Sequence, residues 1–174
     1  MKFALSLFLL LAFVQMENKI IWTENQKLSW SDFQGTPNSD SPFAASTNTG
    51  IHFGYSYTST SGKIELEYQV ESFFNKDESW YFPHLVNDHI LQHEQTHFDI
   101  SELHARKLRK RLSQKKFSKD IKNEIHIIYT QVEAERKKMQ RQFDSETNHS
   151  QDIKKEAAWT KNIAAQLKRY ERWK

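Results

Sequence analysis

The sequence predicts a single α+β domain with its strands first and its helices after them. Three observations carry this. Residues 51–71 alternate apolar and polar side chains on either side of a turn. From Pro83 onward apolar residues recur at helical spacings instead. The two patterns occupy separate halves of the chain, which is the α+β order.

Residues 17 to about 50 combine Trp22, Trp30 and Phe33 with turn formers such as Gly35, Pro37 and Asn38. This reads as short strands or an irregular arm, with a long loop at 34–42. Ile51-His52-Phe53-Gly54-Tyr55-Ser56-Tyr57 has the alternation of a half-buried strand. Ile64-Glu65-Leu66-Glu67-Tyr68-Gln69-Val70 alternates strictly, with Glu65, Glu67 and Gln69 outward. Ser59-Thr60-Ser61-Gly62 between them is turn chemistry, so 51–71 is expected to be an antiparallel hairpin.

Leu85, Ile90, Leu91, Ile100, Leu103, Leu108 and Leu112 then mark a long helix ending near Lys116. Ser118 can cap a second helix running to about Phe143, with Ile121, Ile125, Ile128, Val132 and Met139 as its apolar stripe. A polar break is expected at 144–150. A third helix spans about 151–172, with Ile153, Trp159, Ile163 and Leu167 inward and Asp152 in its first turn.

Composition bounds the function. The 174 residues suit one domain with a real core, and 37% hydrophobic content with 12 Phe, 6 Tyr and 5 Trp excludes a disordered chain. The formal charge of +3 is too small to suggest nucleic acid. No cysteine is present, which rules out disulfides, thiol nucleophiles and Cys-ligated zinc. At the start, Lys2 precedes an uncharged apolar run over 3–14, long enough for a signal-peptide core and shorter than the roughly 20 residues of a membrane span. Residues 1–16 are therefore expected to be a leader, without a clear cleavage pattern, and 17–174 a secreted or periplasmic domain with no stable membrane insertion. The basic run 105–111, with Lys115 and Lys116, reads as a solvated helix end that complements the helix dipole.

His93-Glu94-Gln95-Thr96-His97 lies within the long helix. Four residues turn a helix by about 400° and raise it about 6 Å, so the two imidazoles share one face, one turn apart. Both can reach one zinc ion at about 2.0–2.1 Å. Glu94, one step round the helix, can reach a water on that ion without being a ligand. Zinc lowers the pKa of its water to about 7 and polarises a carbonyl; Glu94 is then suited to act as general base. His89 lies on the same face a turn earlier and ranks below this pair. His104 is about 10.5 Å along the axis from His97, too far to share the ion. For the third ligand the residues leave Glu124, His126, Glu133, Glu135, Glu146 and His149 open, His149 standing where a side chain can be aimed freely. Tyr129, His126 and Tyr55 are open as oxyanion donors.

The chain resembles an uncharacterised family of bacterial secreted proteins described as zinc-dependent proteases. Three stretches carry the resemblance: Leu28-Ser29-Trp30-Ser31-Asp32-Phe33, His93-Glu94-Gln95-Thr96-His97-Phe98-Asp99-Ile100, and Phe143-Asp144-Ser145-Glu146-Thr147-Asn148-His149. It implies His93 and His97 as ligands, Glu94 as the catalytic residue and His149 as the third ligand. Thr96, Phe143 and Ser150 depart from a usual Gly, Tyr and Gly. Loss of the tyrosine hydroxyl at 143 matters if that group stabilises the oxyanion.

Motif and resemblance together predict a zincin-like fold: an N-terminal antiparallel sheet packed on a long active-site helix, with two further helices. The expected function is zinc-dependent hydrolysis of peptide or protein substrates, with the 51–71 hairpin as the edge for strand addition. The alternatives are a zinc-stabilised secreted binding domain without turnover, whose fourth position is filled by protein, and an interaction module with a degenerate site.

Overall fold

The computed structural model describes residues 18–174; the expected leader at 1–16 lies outside them. Five strands precede three helices: β1 Lys19–Ile21, β2 Ala45–Ser46, β3 Thr49–Thr60, β4 Lys63–Asn75, β5 Trp80–Tyr81, α1 Asp88–Gln114, α2 Ile121–Glu146 and α3 Ile153–Arg169. An antiparallel sheet N-terminal to three helices is the α+β arrangement that the two periodicities predict.

β4 is the central strand of a three-stranded sheet ordered β1-β4-β3. The β3–β4 hairpin closes with Thr60 opposite Lys63. Its two loop residues, Ser61 and Gly62, have φ of +49° and +81°. Positive φ at both positions gives the turn a twist that matches the flanking strands. Glu65, Glu67 and Gln69 are exposed while Ile64, Leu66 and Tyr68 are half-buried, in line with the strict alternation. The paired strands run beyond 51–71 at their open end, because β1 supplies Phe73 and Phe74 of β4 with a partner on the other side.

The arm before the hairpin holds more structure than its turn residues suggest. β2 and β5 form a separate two-stranded sheet, with Ala45 opposite Tyr81 and Ser46 opposite Trp80. The 34–42 loop is anchored where the Gly35 N–H donates to the Ser79 carbonyl at 2.8 Å. A Cβ at Gly35 would lie 2.6 Å from the Asp77 carbonyl oxygen, so this close approach requires glycine.

α1 is the spine of the molecule and touches β3, β4, α2 and α3. Asn87 caps it by accepting from the Ile90 N–H. One apolar cluster surrounds its first half, with Phe74, Phe98, Ile100, Leu103, Phe143 and Ile163. A second surrounds its last turns, with Ile51, Val70, Leu108, Leu112, Ile125 and Val132. A helix enclosed on all sides is ordinarily apolar all round. α1 instead buries eight polar residues, His93, Glu94, Gln95, Thr96, Ser101, Glu102, His104 and Arg106.

The helices differ from the sequence expectation in several places, the first being Leu85, which precedes α1 and is exposed. Asp120, not Ser118, occupies the N-cap of α2; Ser118 sits in the preceding turn, accepting from the Asp120 N–H at 3.1 Å. α2 continues to Glu146 rather than stopping near Phe143, because Phe143 is wholly buried and Glu146 accepts from the Trp159 indole at 2.8 Å. Ile153, expected inward, is 67% exposed: Asp152 caps α3, and Ile153 stands one turn before the docked face of Glu156, Ile163 and Leu167.

Candidate metal centre

α1 and α2 bring three donor atoms together. His93 Nε2 and His97 Nε2 lie 3.2 Å apart. Asp144 Oδ1, from the last turns of α2, is 3.2 Å from the first and 2.8 Å from the second. Ligands about 2.0–2.1 Å from one tetrahedral ion are separated by about 3.3 Å, so these spacings are those of three ligands on one small cation. His93, His97 and Asp144 form the one group of histidine and carboxylate side chains among the described residues with this convergence.

The far nitrogens of the two rings are already engaged. His97 Nδ1 donates to Gln140 Oε1, and Gln140 Nε2 donates to the His97 carbonyl at 2.9 Å. His93 Nδ1 faces both oxygens of Glu156 at 3.1 Å. With Nδ1 carrying the proton, each neutral ring presents a lone pair at Nε2. Two such lone pairs and a carboxylate oxygen then face one another, an arrangement that a cation must satisfy.

In the metal-free chain a proton plays that part. Burial opposes charge on His93, but the carboxylates of Asp144 and Glu156 outweigh it and raise its pKa to about 9. Burial likewise works against ionised Asp144, and the two imidazoles overcome it and hold the carboxyl well below its ordinary value. The two imidazole nitrogens and one carboxylate oxygen fit zinc.

Glu94 is 5% exposed, and its Oε2 is buried without a hydrogen-bond partner. It lines a cleft of about 560 Å³ together with His93, His97 and Asp144. The opposite wall is the segment 42–47, which contains β2. That segment is held by β2–β5 pairing, by the Phe82 N–H donating to the Ala44 carbonyl at 2.8 Å, and by the Asn48 N–H donating to Ser79 Oγ at 2.9 Å. The strand that lines the cleft is therefore β2, within 42–47; the 51–71 hairpin packs on α1 but does not line the cleft.

His149 stands apart from the donor group. Its ring packs against Phe43 at a tilt, with centroids 4.8 Å apart, and it lines the same cleft from the turn after α2. Asn148, His149 and Ser150 all have left-handed backbone, at φ +50°, +50° and +67°. This turn points His149 toward Phe43 while α2, continuing to Glu146, places Asp144 beside the histidines. The residue brought to the two histidines is thus Asp144, whereas the expected third ligand, His149, lies outside the group.

A model of the bacterial family described as a protein of unknown function, DUF922, matches residues 25–150. The chain belongs to this family. The matched span holds β2 to β5, α1, α2 and all three donor residues; it begins after β1 and stops before α3. No curated protein and no solved structure matches the chain.

The other ligand candidates are occupied elsewhere or exposed. Glu124 pairs with Lys115, Glu133 with Arg136 and Glu135 with Arg111. His126 is exposed. His89 Nε2 donates to the Ser150 carbonyl at 2.7 Å, and wholly buried His104 donates from Nδ1 to the Ile100 carbonyl. Tyr129 stacks on Phe53 at the other end of the helix pair, and neither it nor His126 or Tyr55 lines the cleft. Phe143 is buried behind the two imidazoles, stacked on His93 at 4.4 Å. The basic run turns largely inward: Arg106 and Arg109 both reach Glu102, and Arg109 also reaches the Val70 carbonyl.

Asp144, Gln140 and Glu156 were missed by the sequence reading. Gln140 and Asp144 lie four apart on α2, and this spacing toward a motif helix was the available signal. Glu156 carried none, since its partner is 63 residues away.

Proposed function

We propose that this chain is a zinc-dependent peptidase with a zincin-like fold, acting outside the cytoplasm on peptide or protein substrates. The observation that carries the reading is the pairing of an incomplete donor set with a buried, unpartnered Glu94 oxygen in one cleft. Among the described residues no fourth histidine or carboxylate joins the group, whereas a purely structural zinc site is closed by four protein ligands. Such a site also has no use for a buried carboxylate beside it. The extracellular location rests on the apolar run over 3–14, and no helix of the described residues is long and apolar enough to cross a membrane.

His93, His97 and Asp144 would hold the zinc, which supplies Lewis acidity and lowers the pKa of a water to about 7. Glu94 accepts the proton of the attacking water and delivers it to the leaving amine nitrogen. Gln140 keeps the His97 ring in the tautomer that binds metal. β2, within the 42–47 wall, offers a substrate backbone a short strand to pair with, and Phe43 and Ile90 supply apolar contacts.

The test is zinc content by elemental analysis together with hydrolysis of a mixed peptide library. Wild type should bind one zinc and cleave; Glu94→Gln should bind one zinc and lose about 10²–10⁴-fold in rate, the usual worth of general acid–base catalysis. A wild-type chain that takes up zinc and cleaves no peptide refutes the peptidase, and one that takes up no metal refutes the centre.

A further inference from the structure

The metal donors lie on α1 and α2, yet one of the closest contacts to the centre comes from α3, beyond the span that the family model matches. We propose that Glu156 is a positioning residue of the metal centre, holding His93 in the tautomer and orientation that direct Nε2 to the ion. This rests on the zinc reading above.

The His93 ring has two freedoms that matter, its plane and which nitrogen faces the cleft. Phe143 fixes the plane by stacking at 4.4 Å with 23° between rings. Stacking does not choose between nitrogens, because a half-turn of the ring keeps its plane and presents the equivalent opposite face. Glu156 makes the choice. Its carboxylate accepts only, both oxygens lie 3.1 Å from Nδ1, and the residue is 2% exposed. Among the described residues His93 is the sole hydrogen-bond partner of that carboxylate. A buried acceptor left without its donor costs more than the bond itself is worth, so the pair locks Nδ1 as the donor.

α3 is built to deliver this group. Asp152 caps the helix by accepting from the Lys155 N–H, and the Glu156 N–H closes the first turn on the Asp152 carbonyl at 2.9 Å. One turn later Thr160 Oγ1 lies 3.2 Å from Thr96 Oγ1 of the motif. Ile163 and Leu167 then bury the rest of the face in the apolar core. Thr160 therefore docks α3 without touching either imidazole, which makes it the control for docking alone.

The experiment measures zinc affinity by competition with a fluorescent chelator, and the absorption bands of the cobalt-substituted protein, for wild type, Glu156→Gln, Glu156→Met and Thr160→Val. Glu156→Gln keeps an acceptor but loses the charge and should bind zinc about tenfold more weakly; Glu156→Met should approach the 100-fold end of the range for outer partners, with shifted cobalt bands. Thr160→Val should lower the melting temperature and leave affinity and bands unchanged. Wild-type affinity and bands in Glu156→Gln overturn the proposal even if Glu156→Met does not fold. So does a loss in Thr160→Val equal to that in Glu156→Gln. A wild type that binds no zinc overturns the metal centre and this role with it; binding without peptide cleavage leaves this role standing.

Discussion

Gln140 grips His97 at two points, accepting from the ring at Nδ1 and donating to the backbone carbonyl at 2.9 Å. The second bond orients the amide, so its oxygen must face the ring. Gln140→Met should keep the volume, remove both bonds and weaken zinc about 10–100-fold. Gln140→Glu should retain the acceptor and recover much of the affinity. Chelator competition on the two variants checks the order.

The sequence reading gave the third ligand position to His149 and no role to Asp144, while the fold sets Asp144 beside the two histidines. Asp144→Ala should reduce zinc affinity by more than the about 10–100-fold expected of an outer partner, because it removes one of three donors. His149→Ala should keep one zinc per chain while changing peptide turnover, since its ring lies in the cleft against Phe43. Elemental analysis separates them at once.

Zinc must displace a proton from His93. Burial opposes that proton and the neighbouring carboxylates hold it, leaving the pKa at about 9 without metal. The raised pKa stabilises the metal-free fold fully below about 6.5, and this contribution is lost as pH rises through 9. Zinc binding runs the other way: between pH 7 and 9 its apparent affinity should climb by up to about tenfold per unit, with release of about one proton. Calorimetry in buffers of different ionisation enthalpy measures the proton directly.

His104 has the opposite sign. Burial, then the Lys107 charge, lower its pKa to about 3, so it stays neutral in the fold and protonates readily in the unfolded chain. The unfolded state binds more protons between pH 6.5 and 3, and stability should therefore fall on acidification, by up to about 1.4 kcal/mol per pH unit. His104→Leu should flatten that limb in urea titrations without altering zinc affinity.

Ser150 holds φ +67° without being glycine. Left-handed backbone costs a side-chain-bearing residue about 1–2 kcal/mol. Ser150→Gly should raise the urea midpoint by a comparable amount, because the His89 bond goes to the backbone carbonyl and survives. A lowered midpoint would show that the serine side chain earns its place.

The parts of the fold legible in the sequence are those set by neighbours along the chain. The hairpin followed from alternation and Ser61-Gly62, and the three helices from their apolar stripes. The His93–Glu94–His97 unit followed from helical geometry within one turn. What escaped depends on how elements meet. β2 and β5 are two residues each and exist through a partner some 35 residues distant. Asp144 looked like the start of a polar break, because only the docking of Phe143 and the Glu146–Trp159 bond carry α2 past it. Arg106 and Arg109 looked solvated because their acceptors, Glu102, Val70, Leu167 and Trp173, are gathered by the fold.

The burial of α1 on every side also dictates an order of events. His93 meets Asp144 across 51 residues and Glu156 across 63, so the first pair waits for α2 to close on α1 and the second for α3 as well. A growing or unfolded chain offers a metal only histidines close in sequence, His89, His93 and His97, competing with every other ligand around it. A metal centre here would therefore be completed late, wherever the chain finishes folding, and the metal supply of that compartment would decide which ion it received.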